Sequence, residues 1–485
     1  MQWNFSQIRE SIINNKKAQL LTEGNFGLEK ESQRIIESGD LSLTPHPAVF
    51  GDKCGNPRIT TDFSESQIEM VTPVFNSVEE VYESLKEIQE EVEVGIGDEL
   101  LWPLSMPPRL PEEDLIPIAR FPKTEECQIK EIYRKGLALR YGKKMQMISG
   151  IHFNFSYSEN MINFLYKHWK SGEGKREFRD KIYFAVARNF LRYRWLLIYL
   201  FGASPSCDYT YYPVICRQLK EMEKSYSSCD GAIENLEQFA TSLRVSRFGY
   251  SDTVQNGHIL YFNGMEEYNR ELSRILAMES PEYLKLGIYR NGEQVQLNGN
   301  LLQSESEFYS SIRLKQNVVR GESQLEALTK RGVKYLEVRI IDLDPFEKVG
   351  ISLEQLYFLQ VFMVYCLFEN SKPITKEEYN EMNSNHQLTA IFGRKKDLML
   401  HRYDGQMISL KTFAESILEK CRYIAELMDK DSGSSKYKDS VEKQCLKLMD
   451  KNLLPSERIY QATKYRGDSF VKFGVRQAKN NLKRS

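Results

Sequence analysis

Three short segments of this chain alternate between apolar and polar residues, and this alternation constrains the fold more than any other feature. They lie around residues 26–34, 150–156 and 335–341. A period of two is typical of β-strands, whose successive side chains point to opposite faces of the sheet. Each segment therefore predicts a strand with one apolar and one polar face. A sheet with one solvated face shows the same pattern, so the alternation alone does not indicate a functional site.

The polar faces of these predicted strands carry an unusual choice of residues. Glu29 and Glu31 share one face of the first segment, and Glu337 lies on the polar face of the third. Carboxylates are poor strand formers, and two of them about 7 Å apart on one strand repel each other. A divalent cation between Glu29 and Glu31 would remove that repulsion.

A fourth segment, residues 59–73 (ITTDFSESQIEMVTP), adds more carboxylates among hydroxyl residues. Magnesium prefers carboxylate oxygens and keeps water and phosphate oxygens in its remaining positions. An isolated histidine is more often a buried residue with satisfied hydrogen bonds, but in the company of these carboxylates His152 is a candidate nitrogen ligand. The candidate magnesium ligands are therefore Glu29, Glu31, Asp62, Glu69, His152 and Glu337.

Basic residues follow the same strand spacing. Arg339 lies two residues after Glu337, and Arg313 and Lys315 are spaced alike in the segment at 309–315. Guanidinium and ammonium groups suit phosphate or carboxylate ligands, and phosphoryl transfer requires such cations beside a carboxylate-held metal. The chain has no GxxxxGK[ST] loop and no kinase HRD or DFG set in a suitable context. The residues therefore predict a magnesium–nucleotide site of another kind.

Composition argues against several other classes of protein. The 485 residues carry a formal net charge of −1, so no excess of positive charge favours nucleic acid or an anionic membrane. The apolar stretch at 356–368 is shorter than the roughly 20 residues of a membrane span. Eight cysteines are present without a CxxC pair. This usage predicts reduced thiols in a cytosol rather than zinc or a thioredoxin-type site.

Apolar spacings of three and four residues predict long helices. Ser77 and Glu80 predict a capping box at the start of the first one, and Gly202 is expected to end the second. No repeat, low-complexity tract or linker divides the chain, so residues 1–485 are expected to form a single catalytic domain. The predicted helices cover residues 76–94, 178–201, 353–370 and 409–428.

At these same residues the chain resembles the bacterial glutamate–cysteine ligases of the gamma-proteobacterial type. The matching segments run in family order from about residue 20 to about residue 345, and residues 346–485 are a less distinctive helical part. They are GLEKESQR at 27–34, LTPHPAVF at 43–50, ITTDFSESQIEMVTP at 59–73, YRKGLALRY at 133–141, MQMISGIHFNFS at 145–156, YLFGASP at 199–205, TSLRVSRFGY at 241–250, ESEFYSSIR at 305–313 and YLEVRIID at 335–342.

The resemblance implies an α/β (α+β) fold similar to that of glutamine synthetase, in which a curved, mostly antiparallel sheet forms a funnel with flanking helices. It implies a cytoplasmic enzyme that joins the γ-carboxyl group of L-glutamate to L-cysteine through a γ-glutamyl phosphate, in the first step of glutathione biosynthesis. ATP is the implied co-substrate and Mg²⁺, replaceable by Mn²⁺, the implied cofactor. The relatives imply a monomer without nucleic-acid or membrane partners. Because the chain ends at Ser485, the ATP-grasp domain of bifunctional glutathione synthases is not expected.

The resemblance also implies roles for individual residues. The six candidate metal ligands keep that role, while Arg339 and Glu69 are the implied catalytic residues. Arg313, Lys315 and Arg339 are expected to face the ATP phosphates. The implied substrate-binding residues are Phe63, Tyr133, Arg134, Gln146, Arg244, Tyr250 and Tyr309. The chain departs from the family at Lys30, where arginine is common, and at 314–316 (LKQ), where a proline-containing and more basic run is usual.

Two rival functions are compatible with parts of this pattern. A carboxylate–amine ligase with a different amine acceptor would carry the same metal site, because acceptor choice depends on few side chains. A catalytically silent regulatory or binding protein built on this sheet would be expected to lack some of the carboxylates. All of the candidate carboxylates are present.

Overall fold

The structure, a computed structural model, describes residues 5–168, 172–222, 236–249, 258–430, 432–465 and 469–483. The helices are α1 (Phe5–Asn14), α2 (Val78–Gly95), α3 (Glu125–Tyr141), α4 (Glu159–His168), α5 (Lys175–Phe201), α6 (Tyr212–Met222), α7 (Met265–Ala277), α8 (Pro281–Leu286), α9 (Gln324–Arg331), α10 (Leu353–Phe368), α11 (Lys376–Phe392), α12 (Leu410–Asp429), α13 (Lys436–Met449), α14 (Pro455–Tyr460) and α15 (Phe470–Leu482). The strands are β1 (Gly24–Ile35), β2 (Ile59–Thr61), β3 (Gln67–Val71), β4 (Leu100–Leu101), β5 (Ile151–Tyr157), β6 (Tyr289–Arg290), β7 (Glu293–Gln294), β8 (Ile312–Lys315), β9 (Tyr335–Ile341), β10 (Met399–His401) and β11 (Met407–Ser409).

In the described part of the chain, seven strands form one sheet in the order β2–β3–β1–β5–β9–β8, with β4 paired to the end of β1. Every pairing in this sheet is antiparallel. The three segments with alternating polarity are β1, β5 and β9, and they are neighbours in the sheet. The predicted α/β fold, with an antiparallel sheet and flanking helices, is confirmed.

Helices cover the apolar face of this sheet. Phe26 and Leu28 of β1 and Phe153 and Phe155 of β5 are fully buried and share one hydrophobic core with residues of α2, α5 and α10. Helix α2 contacts β1 and β3, and α5 contacts β8 and β9. Because the alternate residues of each strand point the other way, the opposite face collects the polar side chains.

The predicted long helices are confirmed as α2, α5, α10 and α12. The Ser77 hydroxyl caps α2 by accepting the backbone N–H of Glu80 at 3.2 Å, and α5 ends before Gly202. Helix α10, which contains the apolar stretch, is buried in the core. Within the described ranges, no helix is both long enough and apolar enough to cross a membrane.

A β-bulge interrupts the pairing of β5 with β9. The register shifts so that His152 on β5 lies opposite two residues of β9, Arg339 and Ile340. Bulges redirect side chains and are common beside functional sites. The backbone N–H of Arg339 donates to the carbonyl of Ser311 at 3.0 Å, which keeps this part of β9 attached to the chain leading into β8.

Arg34, near the end of β1, is a buried cation that joins several loops to the sheet. Its side chain is 1% exposed and forms an ion pair with Glu99. The guanidinium also donates to Thr44 Oγ1 at 2.6 Å and to the carbonyls of Thr44, Pro45 and Glu65 at 2.7, 3.0 and 3.0 Å. Removing one member of such a buried pair leaves the other charge uncompensated.

We expect Arg34→Met to lower the free energy of unfolding by about 3–5 kcal/mol, because Glu99 loses its cationic partner and three carbonyls lose a donor. Urea titration followed by circular dichroism would measure the loss. The matched control is Arg58→Met, which removes a 3.1 Å ion pair with Glu91 that is exposed on both sides and should cost no more than about 1 kcal/mol. Equal losses in the two variants would contradict the assigned role of Arg34.

Candidate active site

The antiparallel register places the predicted charged residues side by side on the polar face of the sheet. Residues directly opposite each other on neighbouring strands project to the same face, with Cβ atoms about 5 Å apart. The residues at 29 and 31 lie two apart on β1, so they share that face as well. The opposed pairs are Glu31–Glu69, Glu29–His152, Asn154–Glu337 and Arg313–Glu337.

This face opens into a cavity of ≈ 290 Å³. Its wall contains every predicted site residue except Phe63, Arg134 and Tyr250. The lining residues are Glu29, Glu31, Asp62, Glu69, Tyr133, Leu137, Tyr141, Met145, Gln146, His152, Arg244, Val245, Ser306, Glu307, Tyr309, Arg313, Lys315, Glu337 and Arg339.

Three predicted metal ligands come close enough to share one ion. Glu29, His152 and Glu337 each offer one ligand atom, and these three atoms lie within 4.8 Å of one another. His152 Nδ1 is 3.0 Å from Glu29 Oε2 and 3.6 Å from Glu337 Oε1. Burial and Arg339 lower the pKa of His152, which favours the neutral ring that binds metals.

On the β9 side of the cavity, protein cations compensate the carboxylates. Lys315 Nζ lies 3.1 Å from Glu337 Oε2, and Arg339 forms an ion pair with the other oxygen. Burial acts to raise the pKa of Glu337, but Lys315 and Arg339 hold it well below its usual value. Burial likewise acts to lower the pKa of Arg339, and Glu337 raises it above its usual value. Glu337 is therefore ionised, and Arg339 stays positively charged.

On the β3 side, the carboxylates face one another with less compensation. Burial and repulsion from Asp62 raise the pKa of Glu31 to about 8. Burial, together with repulsion from Asp62 and Glu29, raises the pKa of Glu69 well above its usual value. The Glu31 carboxylate also reaches His152, with Oε1 3.8 Å from Nε2. This half of the site has a local excess of acidic groups that a bound cation would offset.

Helix α3 forms the opposite wall, and part of it was missed from the sequence. Tyr133, Leu137 and Tyr141 line the cavity at intervals of four residues. The Tyr141 hydroxyl donates to Glu307 Oε1 at 2.6 Å, and the buried Arg140 donates to the same oxygen at 3.0 Å. Tyr141 and Glu307 lie within the family-like segments; for Tyr141, the spacing of eight residues from Tyr133, with Leu137 midway, indicates a shared helix face.

The three predicted residues outside the cavity lining have different positions. Phe63, in the bend after β2, is 1% exposed and lies in a hydrophobic cluster. The Arg134 guanidinium donates to the carbonyls of Asp62 and Thr61, the latter at 3.2 Å, and so holds the end of β2 rather than pointing into the cavity. Tyr250 lies outside the described residues.

Arg244 lies at the end of the cavity nearest the bulge. Its side chain is 3% exposed, and Nη1 is 3.6 Å from Asp342 Oδ1. Nη2 donates to the carbonyl of Arg339 at 3.0 Å. Gln146 and Tyr309 line the same cavity. A fixed guanidinium in this position is suited to a carboxylate ligand.

One expectation about the cysteines is wrong. Cys54 and Cys127 form a disulfide across 73 residues of sequence, and Cys216 is also disulfide-bonded. The Cys54–Cys127 bond joins the loop before β2, the strand that Asp62 follows, to the start of α3, the helix that contains Tyr133. Spacing could not reveal it, because the pairing depends on tertiary contact rather than on a local motif. The free cysteines of the described residues are Cys207, Cys366, Cys421 and Cys445.

We expect the double variant Cys54→Ser/Cys127→Ser to lower the free energy of unfolding by about 4 kcal/mol, because the disulfide restricts the unfolded chain over 73 residues. Urea titration with and without a reductant provides the measurement. The reductant should destabilise the wild-type protein more than the variant, and Cys445→Ser, which changes a free thiol, is the control. A variant as stable as the oxidised wild type would refute this role.

A cluster of carboxylates flanked by arginine and lysine on one sheet face is typical of enzymes that transfer a phosphoryl group with the help of a divalent cation. Comparison with known proteins identifies the family within that class. The family model described as glutamate–cysteine ligase matches residues 10–389, and the chain belongs to this family. The resemblance inferred from the sequence is confirmed.

The relatives match over nearly the whole chain. The glutamate–cysteine ligase of Clostridium acetobutylicum is 56% identical and covers 99% of this chain and 100% of its own. That of Pseudomonas putida is 40% identical over 95% of this chain and 86% of its own. The crystal structure of the Francisella tularensis glutamate–cysteine ligase in complex with AMP has a TM-score of 0.85 at 32% identity, covering 95% of this chain and 89% of that one. A bifunctional glutathione synthetase from Pasteurella multocida has a TM-score of 0.76 at 28% identity, and the match covers 98% of this chain and 54% of the larger one.

Proposed function

We propose that this chain ligates the γ-carboxyl group of L-glutamate to the amine of L-cysteine, and that ATP becomes ADP and phosphate through a γ-glutamyl phosphate. The reaction would be the first step of glutathione biosynthesis. One observation carries the proposal: a single cavity contains the carboxylate cluster with Lys315 and Arg339 and also the buried guanidinium of Arg244. The first group suits a metal and phosphates, and the second suits the carboxylate of an amino acid. The relatives' shared name and the AMP bound to the Francisella enzyme support it.

Magnesium fits the residues present. The donor set is rich in carboxylate oxygens, as this ion prefers, and three ligand atoms lie within 4.8 Å of one another. Mn²⁺ shares the preference for oxygen donors and would substitute. When bound, the ion would neutralise phosphate charge during phosphoryl transfer. The residues that would hold it are Glu29, Glu31, Asp62, Glu69, His152 and Glu337.

In the first step, a γ-carboxylate oxygen of glutamate attacks the γ-phosphorus of ATP, and the bond to ADP breaks. Two anions must approach each other, so positive charge near the phosphates lowers the barrier. Arg339 and Lys315 lie beside Glu337 and would take this role, with Arg313 opposite Glu337 on β8. We assign Arg339 and Glu69 as catalytic residues, one for the developing phosphate charge and one as a carboxylate of the metal cluster.

In the second step, the cysteine amine attacks the acyl carbon, phosphate leaves with the bonding electrons, and the amine loses a proton. Arg244 would bind the carboxylate of cysteine, because it is a buried cation that lines the same cavity. Tyr133, Gln146 and Tyr309 line the space between and would orient the amino acids. Arg134 and Phe63 would support this wall from outside the cavity, and a substrate role for Tyr250 stays a prediction.

We propose one catalytic domain over residues 1–485, because the main hydrophobic core contains residues from Ile8 to Leu454. All cavity-lining residues fall within the family-like part, between Glu29 and Arg339. We propose a monomer in the cytoplasm, where ATP and free cysteine are available, acting on small molecules without nucleic-acid or membrane partners. The Cys54–Cys127 disulfide is atypical of that compartment.

We expect Glu29→Gln to reduce kcat at least about 10²–10³-fold without unfolding the protein, because it removes a carboxylate from the metal and phosphate site. ADP release in the presence of magnesium, glutamate and cysteine is the assay, and circular dichroism checks folding. Chelation by EDTA should abolish wild-type turnover, and added Mg²⁺ or Mn²⁺ should restore it. Glu442→Gln is the matched control, because the Glu442 side chain on α13 is 41% exposed and does not line the cavity. Near-normal turnover by the Glu29→Gln variant would contradict the assignment of Glu29 as a metal ligand.

We also expect ADP release by the wild-type protein to depend on glutamate and to rise at least about tenfold when cysteine is added, because Arg244 and the tyrosines bind an amino-acid acceptor. The readout is ADP formed across a panel of amino acids, with the dipeptide product identified by mass spectrometry. Stimulation by a different amine, and none by cysteine, would favour a carboxylate–amine ligase of another specificity. No amino-acid dependence at all would refute the ligase reaction.

A further inference from the structure

Gly150, at the entry to β5, connects the metal side of the cavity to the acceptor side. Its backbone N–H donates to Glu31 Oε2 at 3.0 Å, and its carbonyl accepts the backbone N–H of Glu31 at 3.0 Å. The guanidinium of Arg244 crosses directly over its Cα. One residue therefore contacts a proposed metal ligand and the proposed acceptor-binding cation.

Glycine is required here for space and not for backbone conformation. Gly150 is not among the glycines with positive φ in the described residues, so alanine could adopt its backbone angles. A Cβ at this position would overlap Nη2 and Cζ of Arg244 and would lie 2.5 Å from Nε. The guanidinium can occupy its observed position only if residue 150 has no Cβ atom.

The other sides of Arg244 are closed as well. Asp342 Oδ1 lies 3.6 Å from Nη1, and the Arg339 carbonyl accepts from Nη2 at 3.0 Å. Asp342 is itself fixed, because it accepts the N–H of Ala203 at 2.8 Å and the Ser204 hydroxyl at 2.7 Å. Nε and Nη1 of Arg244 are buried and have no hydrogen-bond partner among the described residues. The guanidinium is thus confined in a slot at the wall of the cavity.

We propose that Gly150 is a positioning residue that sets the affinity of this site for its amino-acid acceptor, by keeping open the slot in which Arg244 lies. The inference rests on the proposed function, in which Arg244 binds the acceptor's carboxylate. A methyl group at 150 displaces the end of a flexible side chain, so the protein can fold around it while the guanidinium moves. A displacement of about 1 Å in a substrate-binding group can reduce catalysis as much as 10²-fold.

The test is Gly150→Ala, with full kinetics for all three substrates. We expect the KM for cysteine to rise about 10- to 100-fold, while the KM values for ATP and glutamate stay within about twofold of wild type. Gly174→Ala is the matched control, because Gly174 is exposed, has an ordinary φ of −66° and has 3.6 Å of room for a Cβ. A merely structural role would lower the thermal midpoint without this selective change in KM.

A double-mutant cycle then tests whether Gly150 acts through Arg244. In an Arg244→Lys background, where the bulky guanidinium is absent, Gly150→Ala should change the KM for cysteine by no more than about twofold. An equal effect in both backgrounds would overturn the inference, as would an equal rise in the KM for ATP, which would indicate action through Glu31. An unchanged KM for cysteine in Gly150→Ala would overturn it as well. Failure of the wild-type protein to release ADP in response to cysteine would instead overturn the proposed function, and this inference with it.

Discussion

The candidate site depends on burying several carboxylates on one face of one antiparallel sheet. Two unit charges about 5 Å apart, the usual separation of cross-strand neighbours, repel by about 3 kcal/mol at an effective dielectric constant of 20. Glu31 and Glu69 are such a pair, and Glu29 lies on the same face. The fold tolerates this arrangement because helices bury the other face of the sheet completely, so the acidic face does not have to supply the stability of the strands.

Positively charged side chains compensate the carboxylates of this face near β9 but much less near β3. The cavity therefore has a cationic side and an acidic side. Near β9, Lys315 and Arg339 neutralise Glu337 without help from solution. Near β3, the acidic groups outnumber the cations, and Arg134 donates hydrogen bonds to the carbonyls of Asp62, Thr61 and Lys130 rather than to these carboxylates. A metal bound among the carboxylates and phosphates bound beside the cations would each meet charge of the opposite sign. The two ligands would therefore favour each other's binding.

The sequence predicted the faces of the strands better than their pairing. Period-two alternation depends only on neighbours along the chain, so Glu29, Glu31 and Glu337 were assigned to polar faces correctly. The register and the bulge opposite His152 depend on contacts between distant segments and could not be obtained this way. The same limit applies to the Cys54–Cys127 disulfide.

The helix wall and the core show two further limits of sequence reasoning. Tyr141 could have been found, since it lies eight residues after Tyr133 on one helical stripe. Phe63 was expected in the substrate pocket from family resemblance, and the structure places its side chain in a hydrophobic cluster instead. Asp62 and Phe63 lie in the bend after β2, where strand alternation does not predict the directions of neighbouring side chains.

The cations that line the cavity differ in how much positional error their proposed roles tolerate. Attraction between a cation and a phosphate falls by only about a fifth when their separation grows from 4 to 5 Å, because Coulomb energy varies inversely with distance. A hydrogen bond lengthened by about 1 Å from 2.9 Å is lost. In their proposed roles Lys315 and Arg339 would act mainly through charge, whereas a guanidinium that selects one amino acid must present its N–H groups at fixed positions. This difference is consistent with the surroundings of the three cations. Arg244 is enclosed by Gly150, the Asp342 carboxylate and the Arg339 carbonyl. The side chains of Lys315 and Arg339 are about a quarter exposed. Under the proposed function, discrimination among acceptors would therefore depend on the rigid surroundings of Arg244 more than on Lys315 and Arg339.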